Sequence, residues 1–305
     1  MDHRHLNLQF VCTGRTPARD RPDVWPALPL IIWSYGDHRT GSVENIIAVF
    51  ECRDRVCQIN LTNVSSSVLE EMQQPFPALL FLFLQSVDMP VVPDSFLGGS
   101  APRLRYIELS NLPFSGLPKL LLSTTHLVIL RLRYIPHSGY ISPEAMVTAL
   151  SVLTSLEELT LRFQSPRSCP DRASRRPLPS TRSVLPVLTR FWFKGATKYL
   201  DDLVARIDAP RLNDLQISFF NDIIFDTPRL MQFISRTLTS RALEKAHITP
   251  RNGNASLNVS AHTPGDGKVN VKILCRELEW EAWEVPSISS LEKFCTSCLP
   301  PLSTL

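Results

Sequence analysis

Pro77-Ala78-Leu79-Leu80-Phe81-Leu82-Phe83-Leu84 is followed by Pro102-Arg103-Leu104-Arg105-Tyr106-Ile107-Glu108-Leu109, and the shared phrase P-x-L-x-x-L-x-L decides the fold. It returns without the proline at Leu127-x-x-Leu130-x-Leu132 and Leu156-x-x-Leu159-x-Leu161. It returns with the proline at Pro186-x-Leu188-x-x-Phe191-x-Phe193 and Pro210-x-Leu212-x-x-Leu215-x-Ile217. Weaker copies stand at Val56-x-x-Ile59-x-Leu61 and Leu243-x-x-Ala246-x-Ile248. In each phrase the last two apolar residues alternate with period two, as one face of a strand does. One copy cannot enclose these side chains, whereas stacked copies can.

A phrase of this kind recurring every ~20–30 residues marks a leucine-rich-repeat solenoid. The expected fold is α/β, a horseshoe with parallel strands on the concave side and helices and loops on the convex side. Helix signals fill the gaps. Ser142-Pro143-Glu144 pairs an N-cap with proline at the first helical position. Thr197 precedes Leu200, Leu203, Val204 and Ile207, and Thr227-Pro228 precedes Leu230, Met231, Ile234 and Leu238, each set at helical spacing. Shorter helices are expected over Ser42 to Val49 and Ser65 to Met72. Three residues after each phrase, where Asn or Cys is usual, stand Val64, Val87, Leu112, Ile135, Ala196 and Phe220, with Gln164 the polar exception. Apolar packing is therefore expected to shape that turn in place of a side-chain ladder.

The organisation expected is one solenoid over 1–305, with a basic Pro/Arg-rich loop insertion at 163–183 and a β-hairpin over 250–275. Pro300-x-Leu302-x-x-Leu305 reads as the opening of a further repeat, so the C-terminus is expected to fall inside one. From Arg162 to Arg182 the only acidic residue is Asp171, against Arg162, Arg167, Arg172, Arg175, Arg176 and Arg182. That loop could touch an acidic partner or RNA.

The net charge of +3 is too small to imply nucleic acid by itself, and 44% hydrophobic residues suffice for a core. No apolar run approaches the ~18 residues that span a membrane. Met1-Asp2-His3-Arg4-His5 opens no signal peptide, and the 7 scattered cysteines fit reduced thiols, so an intracellular protein of cytoplasm or nucleus is expected. Cys295-x-x-Cys298 lacks a second pair for zinc. Asp201-Asp202 stands early in a helix, where carboxylates suit the dipole. No nucleophile, P-loop or dinucleotide motif occurs. The reading is not an enzyme, with no catalytic residue, metal or cofactor.

Residues alternating with the buried ones should line the concave face. Among them Phe81, Phe83, Tyr106, Arg131, Arg133, Arg162, Arg190, Trp192 and Lys194 are expected to bind a partner. Aromatics and arginine dominate protein-interface hot spots, so the partner expected is a protein carrying some negative charge. A basic-surface RNA-binding or regulatory scaffold is the alternative.

Longer phrases carry a resemblance. Pro93 to Leu104, Gly116 to Leu127, Ile135 to Met146, Ser165 to Pro177, Asp202 to Pro210 and Phe225 to Leu230 together resemble the F-box and leucine-rich-repeat proteins of mushroom-forming basidiomycete fungi. The resemblance implies the substrate-recognition part of a ubiquitin ligase receptor, with the repeats holding a protein substrate. The paired helices of an F-box are not readable here. Docking to the ligase adaptor is therefore expected only if an F-box lies upstream.

Overall fold

The computed structural model describes residues 10–12, 28–34, 40–168, 181–220, 228–238, 242–251, 254–263 and 267–276. Backbone contacts divide the chain into two compact units, Met1–Leu130 and Arg131–Leu305. Both are α/β.

In the first unit β1 (Phe10–Cys12), β2 (Leu30–Ser34), β3 (Val56–Leu61), β4 (Phe81–Gln85) and β5 (Tyr106–Ser110) pair side by side, all parallel, in chain order. Between β2 and β3 lies α1 (Thr40–Val49), and between β3 and β4 lies α2 (Ser66–Glu71). A third helix, α3 (Leu117–Leu121), follows β5. It was not expected from the sequence. Its five residues are too few to display a full helical period, although Leu117, Leu120 and Leu121 are all buried.

Strand β6 (Ile129–Ile135) starts with the last two residues of the first unit and runs into the second. There β7 (Glu158–Phe163), β9 (Arg190–Gly195) and β11 (Asp214–Phe219) pair parallel in register, after α4 (Pro143–Leu150) and with α5 (Thr197–Val204) between β9 and β11. The two-residue strands β8 (Ser183–Val184) and β10 (Ile207–Asp208) pair with one another. Ile207, expected on the face of α5, thus belongs to a strand. The helix has already ended, and Ile207 is buried there as it would have been on the helix.

After α6 (Pro228–Leu238) come β12 (Ala242–Arg251), β13 (Asn254–Thr263) and β14 (Gly267–Arg276). The sheet order β11-β14-β13-β12 places β14, not β12, beside β11, and β12 and β13 are antiparallel additions. The copy of the phrase at Leu243-x-x-Ala246-x-Ile248 therefore does not continue the parallel series. Val271 and Ile273 do, opposite Leu215 and Ile217, and both are buried. Antiparallel pairing of β12 with β13 and of β13 with β14 gives these strands their partners without a crossover helix.

The phrase is built from one turn and one strand. The N–H groups of Leu79, Leu104, Leu127, Leu156, Leu188 and Leu212 each donate to the carbonyl three residues back, at 2.9–3.4 Å. In four of these turns proline holds the second position (Pro77, Pro102, Pro186, Pro210), where its fixed φ and missing N–H cost nothing. The first residue of the turn is buried every time: Phe76, Ala101, Thr124, Leu153, Leu185 and Ala209. The next two N–H groups after the turn reach the neighbouring repeat. In the first unit Val128 and Ile129 donate to the Arg105 carbonyl at 2.8 and 3.1 Å. In the second, Asn213 and Asp214 donate to the Thr189 carbonyl at 2.8 and 3.0 Å. The apolar residues of the six main phrases are all buried. Each such Leu or Phe contributes roughly 1.5–3 kcal/mol relative to exposure.

The turn after the strand differs from expectation. A side-chain ladder does exist in the first unit, placed one or two residues earlier than the usual position. Thr62 Oγ1 donates to the Ser34 carbonyl (3.2 Å), Ser86 Oγ to the Val64 carbonyl (3.0 Å) and Asn111 Nδ2 to the Ser86 carbonyl (2.8 Å). Asn63 and Asn111 take positive φ (56° and 59°), a region asparagine tolerates better than most residues. Val64 and Leu112 can then turn inward, whereas Val87 is 68% exposed and Ser86 is buried in its stead.

Candidate functional site

Parallel in-register pairing fixes what lies on the side of each sheet opposite the buried leucines. In the first unit Gln58, Phe81 and Tyr106 form one row, and Asn60, Phe83 and Glu108 the next. The Phe81 and Tyr106 rings stack with centroids 4.2 Å apart and planes 13° apart. The Tyr106 hydroxyl donates to Glu108 Oε2 at 2.5 Å, and Glu108 is buried. Phe81, Phe83 and Tyr106 are each half-buried, and Gln85 is exposed. This face holds one carboxylate and no basic side chain among these positions.

In the second unit the rows are charged. Glu158, Arg190 and Asp214 stand opposite one another, then Thr160, Trp192 and Gln216, then Arg162, Lys194 and Ser218. The register continues Asp214 to Asn270 and Gln216 to Lys272, which is exposed. Glu158 is wholly buried, with Arg131 Nε on one carboxylate oxygen and Arg190 3.1 Å from the other. An isolated buried carboxylate would be costly, and two guanidinium groups offset that cost. Trp192 donates its indole N–H to Asp214 Oδ2 at 2.9 Å, and Gln216 Nε2 lies 3.2 Å from the same oxygen. Both carboxylates of the first row thus carry donors. Lys194 Nζ lies 5.3 Å from the Phe220 ring centroid, a cation–π distance.

Of the residues expected to bind a partner, Phe81, Phe83 and Tyr106 fall on the outer rows of the first unit's sheet. Arg162, Arg190, Trp192 and Lys194 fall on those of the second, where Arg131 meets Glu158. Arg133 follows Leu132 as Arg162 follows Leu161 and Lys194 follows Phe193. Arg131 and Trp192 have a structural duty as well, as partners of Glu158 and Asp214. Lys272 was missed, because no leucine phrase surrounds it. Its signal was the alternation Val271-Lys272-Ile273.

The acidic pair Asp201-Asp202 works as a clamp between helices. Asp201 Oδ1 accepts the Leu230 N–H at 2.9 Å, capping α6, while the Arg229 guanidinium reaches Asp202 Oδ1 at 2.5 Å. Burial raises the Asp201 carboxyl above its ordinary range, against the opposing pull of the Leu230 hydrogen bond and the Arg229 charge. Ser142 caps α4 as expected, accepting the Ala145 N–H at 3.2 Å. Arg182 of the basic insertion lies 3.7 Å from Asp208. Residues 169–180 of that insertion, Cys295-x-x-Cys298 and the repeat opening at Pro300 lie outside the described residues.

Among the described residues no three His, Cys, Asp or Glu side chains are placed to hold a metal ion, and no helix is long and apolar enough to cross a membrane. Comparison of the chain with protein-family models, with curated proteins and with solved structures found no match.

Proposed function

We propose that this chain is a non-catalytic, protein-binding leucine-rich-repeat solenoid of horseshoe form, acting inside the cell. Its role is that of the substrate-recognition part of an F-box-type ubiquitin ligase receptor. What supports the binding role is the in-register stacking of the phrase. The rungs spend their leucines on the core and present their alternate residues, Phe81, Tyr106, Arg190 and Trp192 among them, on the other side of their own sheet. Side chains so arrayed on rigid strands lose little freedom when a partner arrives. The ligase role rests on the resemblance of the longer phrases to basidiomycete F-box repeat proteins. Contact with the ligase adaptor belongs to an F-box, if one precedes these residues in the full polypeptide.

The test is proximity labelling with the full chain in a fungal cell. Proteins captured by the wild type are expected to be lost on Phe83→Ala/Trp192→Ala substitution while both units remain folded by circular dichroism, each side chain supplying about 2 kcal/mol or more as a hot spot. An unchanged protein set would count against the reading. Capture of nuclease-sensitive RNA in its place would favour a basic RNA scaffold.

A further inference from the structure

The charged side chains on the outer face of the second unit's sheet are unequally engaged. In the rows that run across β7, β9, β11 and β14 the cations are Arg162, Arg190, Lys194 and Lys272, and the carboxylates are Glu158 and Asp214. Glu158 takes Arg131 and Arg190, and Asp214 takes the Trp192 indole N–H and the Gln216 amide. Lys194 lies against the Phe220 ring. Arg162 is half-buried and Lys272 exposed, and neither makes a hydrogen bond, ion pair or ring contact among the described residues. A guanidinium and an ammonium without an anion, on a face whose carboxylates are already taken, suit an acidic partner.

We propose that this face takes an extended acidic segment of the protein partner, laid across the strands. One carboxylate meets Arg162, a second meets Lys272, and an apolar side chain between them covers Trp192. The inference rests on the protein-binding reading and names the chemistry its partner must carry. Arg162 lies on β7 and Lys272 on β14, with β9 and β11 between them. Three steps between neighbouring strands make about 14 Å, and the offset of one row along the strands brings the diagonal to about 16 Å. In an extended peptide, side chains four residues apart point to the same side and start about 14 Å from one another. The long stems of arginine and lysine cover the remainder. The residue halfway along the segment falls over Trp192 and Gln216. The indole is already held by Asp214, so it loses little freedom when covered. Nucleic acid suits the face less well. A phosphate tract carries charge at every step, and the phosphates between the two cations would face the half-buried Asp214.

The experiment uses the full chain and a fluorescein-labelled decapeptide holding Glu-Ser-Leu-Ser-Glu between serines, followed by fluorescence anisotropy. The expected result is binding that weakens with salt and fails when both glutamates become glutamine. Arg162→Gln and Lys272→Gln should each weaken it roughly tenfold, and the pair about a hundredfold, one charge-assisted contact being lost each time. Against Lys272→Gln, replacing one of the two glutamates should cost nothing further, while replacing the other still costs about tenfold. Unchanged affinity in both single variants overturns the proposal. So does equal sensitivity of every variant to both glutamates, which marks diffuse charge alone, and so does a ten-uridine RNA that outcompetes the peptide. Protein capture that needs Phe83 and Trp192 but survives Arg162→Gln/Lys272→Gln would remove the acidic segment and leave the scaffold. Peptide binding with the stated dependence and no such capture would do the reverse.

Discussion

The two units solve the same problem of burying a leucine phrase, yet they finish the opposite side of the sheet differently. The first unit uses uncharged aromatics: Phe81 stacks on Tyr106, and the buried carboxylate of Glu108 receives the Tyr106 hydroxyl. The second uses ions: Glu158 is buried under Arg131 and Arg190, and Asp214 holds Trp192. The difference teaches that burial of the phrase leaves the outer face chemically undetermined. Stability there comes from dispersion and stacking in one unit and from compensated charge in the other. Salt and pH should therefore act on the second unit more than on the first.

The largest expected effect separates the two finishes directly. Arg131→Ala leaves the wholly buried Glu158 carboxylate with Arg190 alone and should destabilise the second unit by about 3 kcal/mol, the scale of breaking a buried ion pair. Phe81→Ala should cost the first unit only about 1 kcal/mol from its half-buried stack. Hydrogen exchange read separately over β3–β5 and β7–β11 measures both, and equal losses would erase the distinction.

Glycine substitutions come next. A Cβ on Gly195 would sit 2.6 Å from Phe193 Cζ and 2.9 Å from Phe163 Cδ2, within a cluster where Phe163 meets Tyr199 edge-on at 4.9 Å. Gly195→Ala should cost about 1–3 kcal/mol through overpacking. Gly99 in the first unit has nothing within 4 Å of such a Cβ but a φ of +72°, so Gly99→Ala should cost about 1–2 kcal/mol through backbone strain alone. Trimming Phe193 to Leu, which removes the nearest ring atom, should relieve the first variant. No corresponding trim should relieve the second, and denaturant midpoints of the double variants decide.

The smallest effect concerns pH. The folded Asp201 carboxyl titrates above its ordinary value near 3.8, so the folded state takes up its proton earlier than the unfolded chain. That group's contribution to stability therefore grows as pH falls through the folded value, and is complete below the unfolded one. Asp201→Asn removes this contribution. The variant should lose ground against wild type as the medium is acidified, and a constant difference between pH 7 and pH 4 would contradict the assignment. No such slope is expected in the first unit from this group.

Much of the fold could be read from the sequence because burial leaves a period. The phrase located β3–β7, β9 and β11 through residues such as Leu130 and Phe191, whose environment admits only apolar side chains. Helices with capping chemistry, such as α4 behind Ser142-Pro143, were legible for the same local reason. Short α3 was not, since one turn of Leu117–Leu121 resembles any apolar run. Nor was the exchange of β12 for β14 beside β11, because strand order depends on which hairpin closes rather than on the residues of one strand. On the outer faces, the types Phe81, Arg190 and Trp192 were legible by alternation. That Arg131 meets Glu158 was not, because such a pair lies across strands separated by an entire repeat.

Strand β14 is hydrogen-bonded on both sides, to β11 and to β13. A duplicated rung placed after residue 220 would need to wedge open a pairing already complete on each flank. One placed earlier, between two successive phrases, meets only copies of its own template. The array can thus be lengthened by duplication near the middle of the polypeptide, while insertion beside β11 is opposed by the pairing β11 already makes with β14.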